Sequence, residues 1–170
     1  MNKMYLDYQD IEKNCVTILH QMFMDEWEPD YIVGLTRGGL LPATLLSHFL
    51  KKPMYSLDVS LRDNTDFGPE SNCWMSEDAL DGKNILIVDD INDSGATLKW
   101  IINDWKHSNR PASPEWDKVW GHNVRFAVIV NNEASDFRNI SYYGFDINKL
   151  EKDVWVVFPW EEWFGYKSTL

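Results

Sequence analysis

Residues 85–97 read Ile-Leu-Ile-Val-Asp-Asp-Ile-Asn-Asp-Ser-Gly-Ala-Thr, and no other stretch limits the possible folds so tightly. Four consecutive apolar residues suit a strand buried on both faces of a parallel sheet, because a half-solvated strand would alternate. The chain leaves this strand at Asp89-Asp90, which puts two carboxylates at its carboxyl end, where open α/β sheets take their ligands. Asp93-Ser94-Gly95-Ala96-Thr97 then offers two hydroxyls and a glycine backbone ahead of a helical stretch, a geometry that cradles a phosphate. Carboxylates that grip sugar hydroxyls beside such a nest describe a site for a ribose 5-phosphate.

The rest of the chain is read around that strand. Ile11, Cys15, Ile18, Leu19, Met22 and Phe23 recur at helical spacing, which predicts an amphipathic first helix. Strands are expected over 31–35, 53–61, 124–130 and 154–158. Helices are expected over 40–50, where Pro42 is tolerable in the first turn, and over 98–107. Residues 62–76 are polar and carry Gly and Pro, 108–121 hold two prolines and read as irregular, and 137–146 are aromatic with no clear period. Strand and helix alternate through the middle. The expectation is therefore an α/β fold, with a mainly parallel central sheet and helices on both faces, in one domain over 1–170.

Charge removes one class of partner. Sixteen Lys and Arg stand against 27 Asp and Glu, a formal net charge of −11, whereas a nucleic-acid surface needs clustered cations. No stretch is long and apolar enough for a membrane span, and the N-terminus lacks a basic-then-apolar leader. Cys15 and Cys73 have neither metal-type nor disulfide-framework spacing, so a reducing cytoplasm is expected. Cys15 falls on the apolar helical face and Cys73 in the polar stretch.

The 85–97 segment closely resembles the signature of the type I phosphoribosyltransferases, enzymes that use phosphoribosyl pyrophosphate (PRPP). Asn92 departs from it, standing where that family usually carries an apolar residue. The resemblance implies a Rossmann-like fold with a small C-terminal hood, here about 131–170, over the base. It also implies that Asp89 and Asp90 hold the ribose diol, directly or through metal-bound water, while Asp93, Ser94, Gly95, Ala96 and Thr97 wrap the 5-phosphate. Thr36-Arg37-Gly38-Gly39 follows a strand one βα unit earlier. Its glycines let backbone amides approach a ligand, and Arg37 offers a planar fork for phosphate oxygens. The matching family loop binds pyrophosphate, often through a non-proline cis peptide, which here would be Thr36–Arg37. A polyanionic ligand on an acidic chain needs local positive charge, so Mg²⁺ is expected beside the backbone amides and Arg37; the resemblance implies Asp89 and Asp90 among its ligands, with Glu161 or Glu162 holding the pyrophosphate-bound ion.

Residues 153–162, Asp-Val-Trp-Val-Val-Phe-Pro-Trp-Glu-Glu, are similar to the base-covering segment of the xanthine–guanine and hypoxanthine–guanine members, especially compact microbial ones. By that likeness Trp155 stacks on a purine and the Val156 backbone reads its edge. Asp93 matches a general acid/base facing N7 of the purine, a carboxylate that orotate-using relatives usually lack, so Asp93 and Arg37 are the expected catalytic residues. Where the purine enzymes usually place a Lys after the strand over 124–130, this chain has Asn131-Asn132-Glu133. Asn131 is then the expected base contact, and the choice among hypoxanthine, guanine, xanthine and adenine stays open. Residues 61–77, with Arg62, fit a loop that closes over PRPP. The implied activity is transfer of the phosphoribosyl group of PRPP to a free 6-oxopurine in purine salvage, by a homodimer or higher homo-oligomer. A PRPP- or nucleotide-sensing protein on the same fold, or transfer to another base, is the alternative.

Overall fold

The computed structural model describes residues 1–59 and 73–162. A five-stranded sheet forms its centre, built from β2 (Tyr31–Thr36), β3 (Met54–Asp58), β4 (Ile85–Asn92), β5 (Val124–Asn132) and β6 (Tyr142–Ile147). The order is β3-β2-β4-β5-β6, and every neighbouring pair is parallel. The expected α/β class and parallel sheet are found. The aromatic stretch without a clear period supplies the edge strand β6, and three of its six residues are only partly buried and a fourth, Asp146, is exposed.

Alternation within the central strands divides the core in two. Ile32, Leu86, Val88, Ala127 and Ile129 face α1 (Tyr8–Met24) and α2 (Leu40–Leu50). Tyr31, Val33, Ile85, Ile87, Val124 and Phe126 face α3 (Cys73–Leu80) and α4 (Ala96–Ser108). Both faces of the sheet are thus covered by helices, which is why β4 could be apolar at four successive positions. Helix α1 starts earlier than its apolar spacing indicates, because Asp7 and Asp10 cap each other's backbone N–H groups at 2.8 and 2.9 Å. Residues 108–121 are less irregular than expected. They contain a 3-10 turn over Pro114–Lys118 whose Trp116 is buried and stacks on Trp120.

A second, two-stranded parallel ribbon joins β1 (Asn2–Tyr5) to β7 (Val154–Val157). The C-terminal segment expected as one hood therefore divides: Asn131, Asn132 and β6 stay in the main sheet, while β7 takes its partner from the N-terminus. Within β7, Val154 and Val156 enter the core beside α1, and Trp155 between them turns to the open side. Cys15 is buried in α1, where burial pushes its thiol up to about 12. Cys73 opens α3 and is exposed, and neither cysteine is bonded to another. Most of the expected closing loop, residues 61–77, lies outside the described residues, as does Arg62.

Candidate active site

Strands β2 and β4 are neighbours, yet the helices that follow them pack on opposite faces of the sheet. Their carboxyl ends therefore border the crevice in which open α/β sheets bind ligands. The two motifs singled out in the sequence meet there. A Cβ on Gly38 would lie 1.9 Å from Asp90 Oδ2, and one on Gly39 would lie 2.2 Å from the Val88 carbonyl oxygen. Only glycines let the β2 turn lie this close to β4. The Thr36–Arg37 peptide is cis, the bond the family resemblance singled out. Thr36 donates through Oγ1 to Asp58 Oδ1 at 2.9 Å, which ties the turn to β3. Arg37 is exposed beside it.

Asp89 Oδ1 accepts the Asp90 N–H at 2.9 Å, and Asp90 Oδ1 accepts the Ile91 N–H at 2.8 Å. Burial is the largest influence on Asp90 and pushes its carboxyl up to about 6. The Ile91 N–H pulls the other way, while the negative charge of Glu161 adds to the rise. Glu161 thus stands close enough for its charge to reach Asp90, although its Oε2 also accepts the Phe158 N–H at 2.9 Å. A desolvated carboxylate next to two other acids is a place where a cation would be favourable. Among the described residues no group of three or more His, Cys, Asp and Glu could hold a metal alone. A Mg²⁺ ion that takes only one or two carboxylates and fills its shell from phosphate and water would not need such a group.

The small-residue turn follows directly. Gly95 adopts φ +83° as the N-cap of α4 and has no side chain of its own to cap the helix, so the first-turn amides beyond Ala96 are available to an anion. Ser94 Oγ accepts the Ala96 N–H at 3.3 Å. The turn rests on Phe137, since a Cβ on Gly95 would fall 2.4 Å from Phe137 Cβ. Phe137 in turn meets Phe126 edge-on in an aromatic row that continues through Trp120. Thr97, one position into α4, is partly buried.

At the base end the sequence expectations meet their clearest revision. Asn131 is spent elsewhere: its Nδ2 donates to Asp146 Oδ1 at 2.9 Å and its Oδ1 accepts from Asn92 Nδ2 at 3.0 Å. The unusual Asn92 is thereby explained. It is 1% exposed, yet it also donates to the Phe137 carbonyl at 3.0 Å and accepts from Ser135 Oγ at 2.8 Å. The two departures from the family pattern satisfy each other across the β4–β5 ladder. It is Asn132 that turns toward Asp93, donating to its carbonyl at 3.1 Å, while its own Oδ1 accepts the Lys149 N–H at 3.1 Å.

Lys149 was not foreseen. Its Nζ lies 2.9 Å from Asp93 Oδ1 and 5.5 Å from the centre of the Trp155 ring. Trp155 is 38% exposed, whereas Val156 is buried and Trp160 stacks on Phe158 as packing. The sequence carried a faint signal, a Lys between the aromatic stretch 137–146 and the Asp-Val-Trp segment that leads into β7. Only the pairing of Asn132 with Ile147 makes that signal meaningful. The site as a whole offers two acids, an amide-rich turn, an arginine, and a carboxylate–ammonium pair next to an open aromatic face. It suits a sugar phosphate with a flat, polar partner.

Comparison with known proteins gives a consistent picture. The family described as "Phosphoribosyl transferase domain" matches residues 1–163. The hypoxanthine-guanine phosphoribosyltransferase of Schizosaccharomyces pombe is 26% identical over 187 residues, covering 94% of this chain and 89% of that protein. Xanthine phosphoribosyltransferase 1 of Saccharomyces cerevisiae is 22% identical, covering 94% of this chain and 90% of its own length. A crystal structure of a purine phosphoribosyltransferase from Pyrococcus horikoshii superposes with a TM-score of 0.67 at 28% identity, covering 95% of this chain and 96% of that one.

Proposed function

This chain belongs to the phosphoribosyltransferase family, and from that premise we propose that it transfers the 5-phosphoribosyl group of PRPP to a free 6-oxopurine in purine salvage. The observation that carries this reading is the meeting of Gly38 with Asp90 directly ahead of the 93–97 turn, in a chain whose relatives act on purines. Asp89 and Asp90 would take the ribose diol, and the amides and hydroxyls of Asp93 to Thr97 the 5-phosphate. Thr36, Arg37, Gly38 and Gly39 would receive the pyrophosphate. Trp155 gives the purine an aromatic face to stack on.

In the reaction, the bond between C1 of the ribose and the pyrophosphate oxygen breaks and a ring nitrogen of the purine bonds to C1. The electron pair leaves with pyrophosphate, and the proton shed by the purine ring passes to Asp93. Arg37 and the Gly38 and Gly39 amides would stabilise the charge that develops on the departing oxygens. Mg²⁺, held by Asp89, Asp90 and Glu161 with phosphate oxygens, would supply further charge neutralisation. Its presence would also make Asp90 easier to ionise in a partly buried position.

Two free cysteines support a reducing, cytoplasmic setting, and no helix among the described residues is long and apolar enough to cross a membrane. The acidic chain is a poor match for nucleic acid, and the assembly expected is a homodimer, the commonest closed form, or a higher homo-oligomer. The test is direct: incubate the protein with PRPP and Mg²⁺ and each of hypoxanthine, guanine, xanthine, adenine, orotate and uracil, then assay pyrophosphate and nucleotide. Purine nucleotide formed only with Mg²⁺ present is the expected result. PRPP uptake by calorimetry without any product would overturn the enzyme reading in favour of a sensor.

A further inference from the structure

Resting on the reading above, we propose that Lys149 determines base specificity: its ammonium selects purines that present a hydrogen-bond acceptor at position 6. Three observations converge on it. The Lys149 Nζ lies 2.9 Å from Asp93 Oδ1, with the two side chains only 21% and 27% exposed. The same Nζ lies 5.5 Å from the centre of Trp155, the half-open ring on which a base would stack. Its backbone N–H is fixed by Asn132 Oδ1 at 3.1 Å, and the same amide donates through Nδ2 to the Asp93 carbonyl at 3.1 Å. Asn132 is buried, 6% exposed, and so acts as a clamp that sets the loop after β6 against the turn after β4.

The chemistry follows from the inventory of donors. An ammonium carries three donors and no acceptor, so it rewards an exocyclic oxygen and opposes an exocyclic amino group. In the free protein one of those donors is engaged by Asp93. A base entering between Trp155 and Asp93 would bring a ring N–H to the carboxylate and a carbonyl oxygen to the ammonium, exchanging one ion pair for two complementary contacts. A 6-aminopurine would bring two donors face to face. The neutral amides Asn131 and Asn132 do not impose this choice, because Asn131 is bonded at both ends to other side chains and Asn132 is spent on the clamp.

The experiment compares wild type, K149M, K149R and N132A in steady-state turnover with hypoxanthine, guanine and adenine, alongside calorimetry with PRPP and Mg²⁺. Loss of a charge-assisted contact predicts that K149M raises the KM for hypoxanthine by about 10- to 100-fold and shifts the hypoxanthine-to-adenine ratio of kcat/KM toward adenine by a similar factor. PRPP affinity should change by less than about threefold, a few tenths of the free energy of one such contact. K149R should restore most of the preference, and N132A should erode it without removing the charge. A merely structural role would lower turnover with all bases alike and leave the ratio unchanged, which would overturn the assignment. If K149M does not fold, the N132A ratio decides in the same way. Wild type that turns over no purine would remove the enzymatic reading and this assignment together, whereas purine turnover with an unaltered ratio in K149M and N132A removes the assignment alone.

Discussion

Asp93 answers to two partners, the Lys149 ammonium at 2.9 Å in the free protein and, on the proposed reaction, the proton shed by the purine. Substitution by Asn keeps its volume and turn-forming capacity but cannot accept that proton. Asp93→Asn should therefore lower kcat by about 10²–10⁴-fold while PRPP affinity by calorimetry moves far less. Equal losses in both measurements would assign Asp93 to the architecture of the turn. Asp90 makes the opposite kind of prediction. Burial raises its carboxyl from 3.8 to about 6, so the folded protein binds that proton more tightly than the unfolded chain. Ionised Asp90 then costs nothing below pH 4, and the cost grows as pH climbs to about 6 and stays constant above it. Asp90→Asn should melt higher than wild type at pH 8 by about 6–12 °C, corresponding to about 3 kcal/mol, with the gap closing toward pH 4. The same variant should lose PRPP–Mg binding. A melting difference that does not vary with pH would show that Asp90 is not held against its charge.

Among the elements, the β2–α2 turn separates two glycines that look alike in sequence. A Cβ on Gly39 would meet main chain, the Val88 oxygen at 2.2 Å and the Leu35 nitrogen at 2.8 Å, neither of which can swing away. A Cβ on Gly38 would meet only the end of the Asp90 side chain. Gly39→Ala should therefore melt well below wild type. Gly38→Ala should melt nearly unchanged and bind PRPP–Mg more weakly by about tenfold or more, the scale of one lost charge-assisted contact. Thermal melts paired with calorimetry separate the two, and a Gly38→Ala variant that binds normally would take this turn out of the ligand site. The same elements show what the sequence could convey. Strand β4, the turn after it, and α2 were readable because each is specified locally, by an apolar run, by small residues in order, or by helical spacing. Strand β1 was not: its four residues are mostly exposed and its partner β7 lies at the far end of the chain. The start of α1 was misplaced because Asp7 and Asp10 act by capping, which leaves no apolar period. Lys149 escaped for a third reason. Its position beside Asp93 depends on the β5–β6 register and on the Asn132 clamp, both long-range facts that no local pattern announces.

At the scale of the whole molecule, an excess of acid surrounds a site that must accept a polyanion. The formal net charge of −11 makes the far field repulsive to PRPP, so the attractive elements must act at contact range. Arg37, the turn amides and a bound cation are of that kind, and contact pairs are screened by salt much less than distant charges are. The two ranges can be pulled apart by ionic strength. Raising monovalent salt from about 0.01 M to 0.15 M shortens the Debye length from about 30 Å to about 8 Å, which removes most of the distant repulsion. The association rate of PRPP–Mg, followed by stopped-flow tryptophan fluorescence at fixed free Mg²⁺, should then rise by roughly two- to tenfold. Dissociation, which the proposed contacts at Asp89, Asp90 and the 93–97 turn would govern, should change little by comparison. An association rate that instead falls steeply with salt would mean that the crevice projects its own positive field beyond the acidic surface. Arg37→Gln would locate the source of that field, because the steep salt dependence should disappear with the guanidinium that created it.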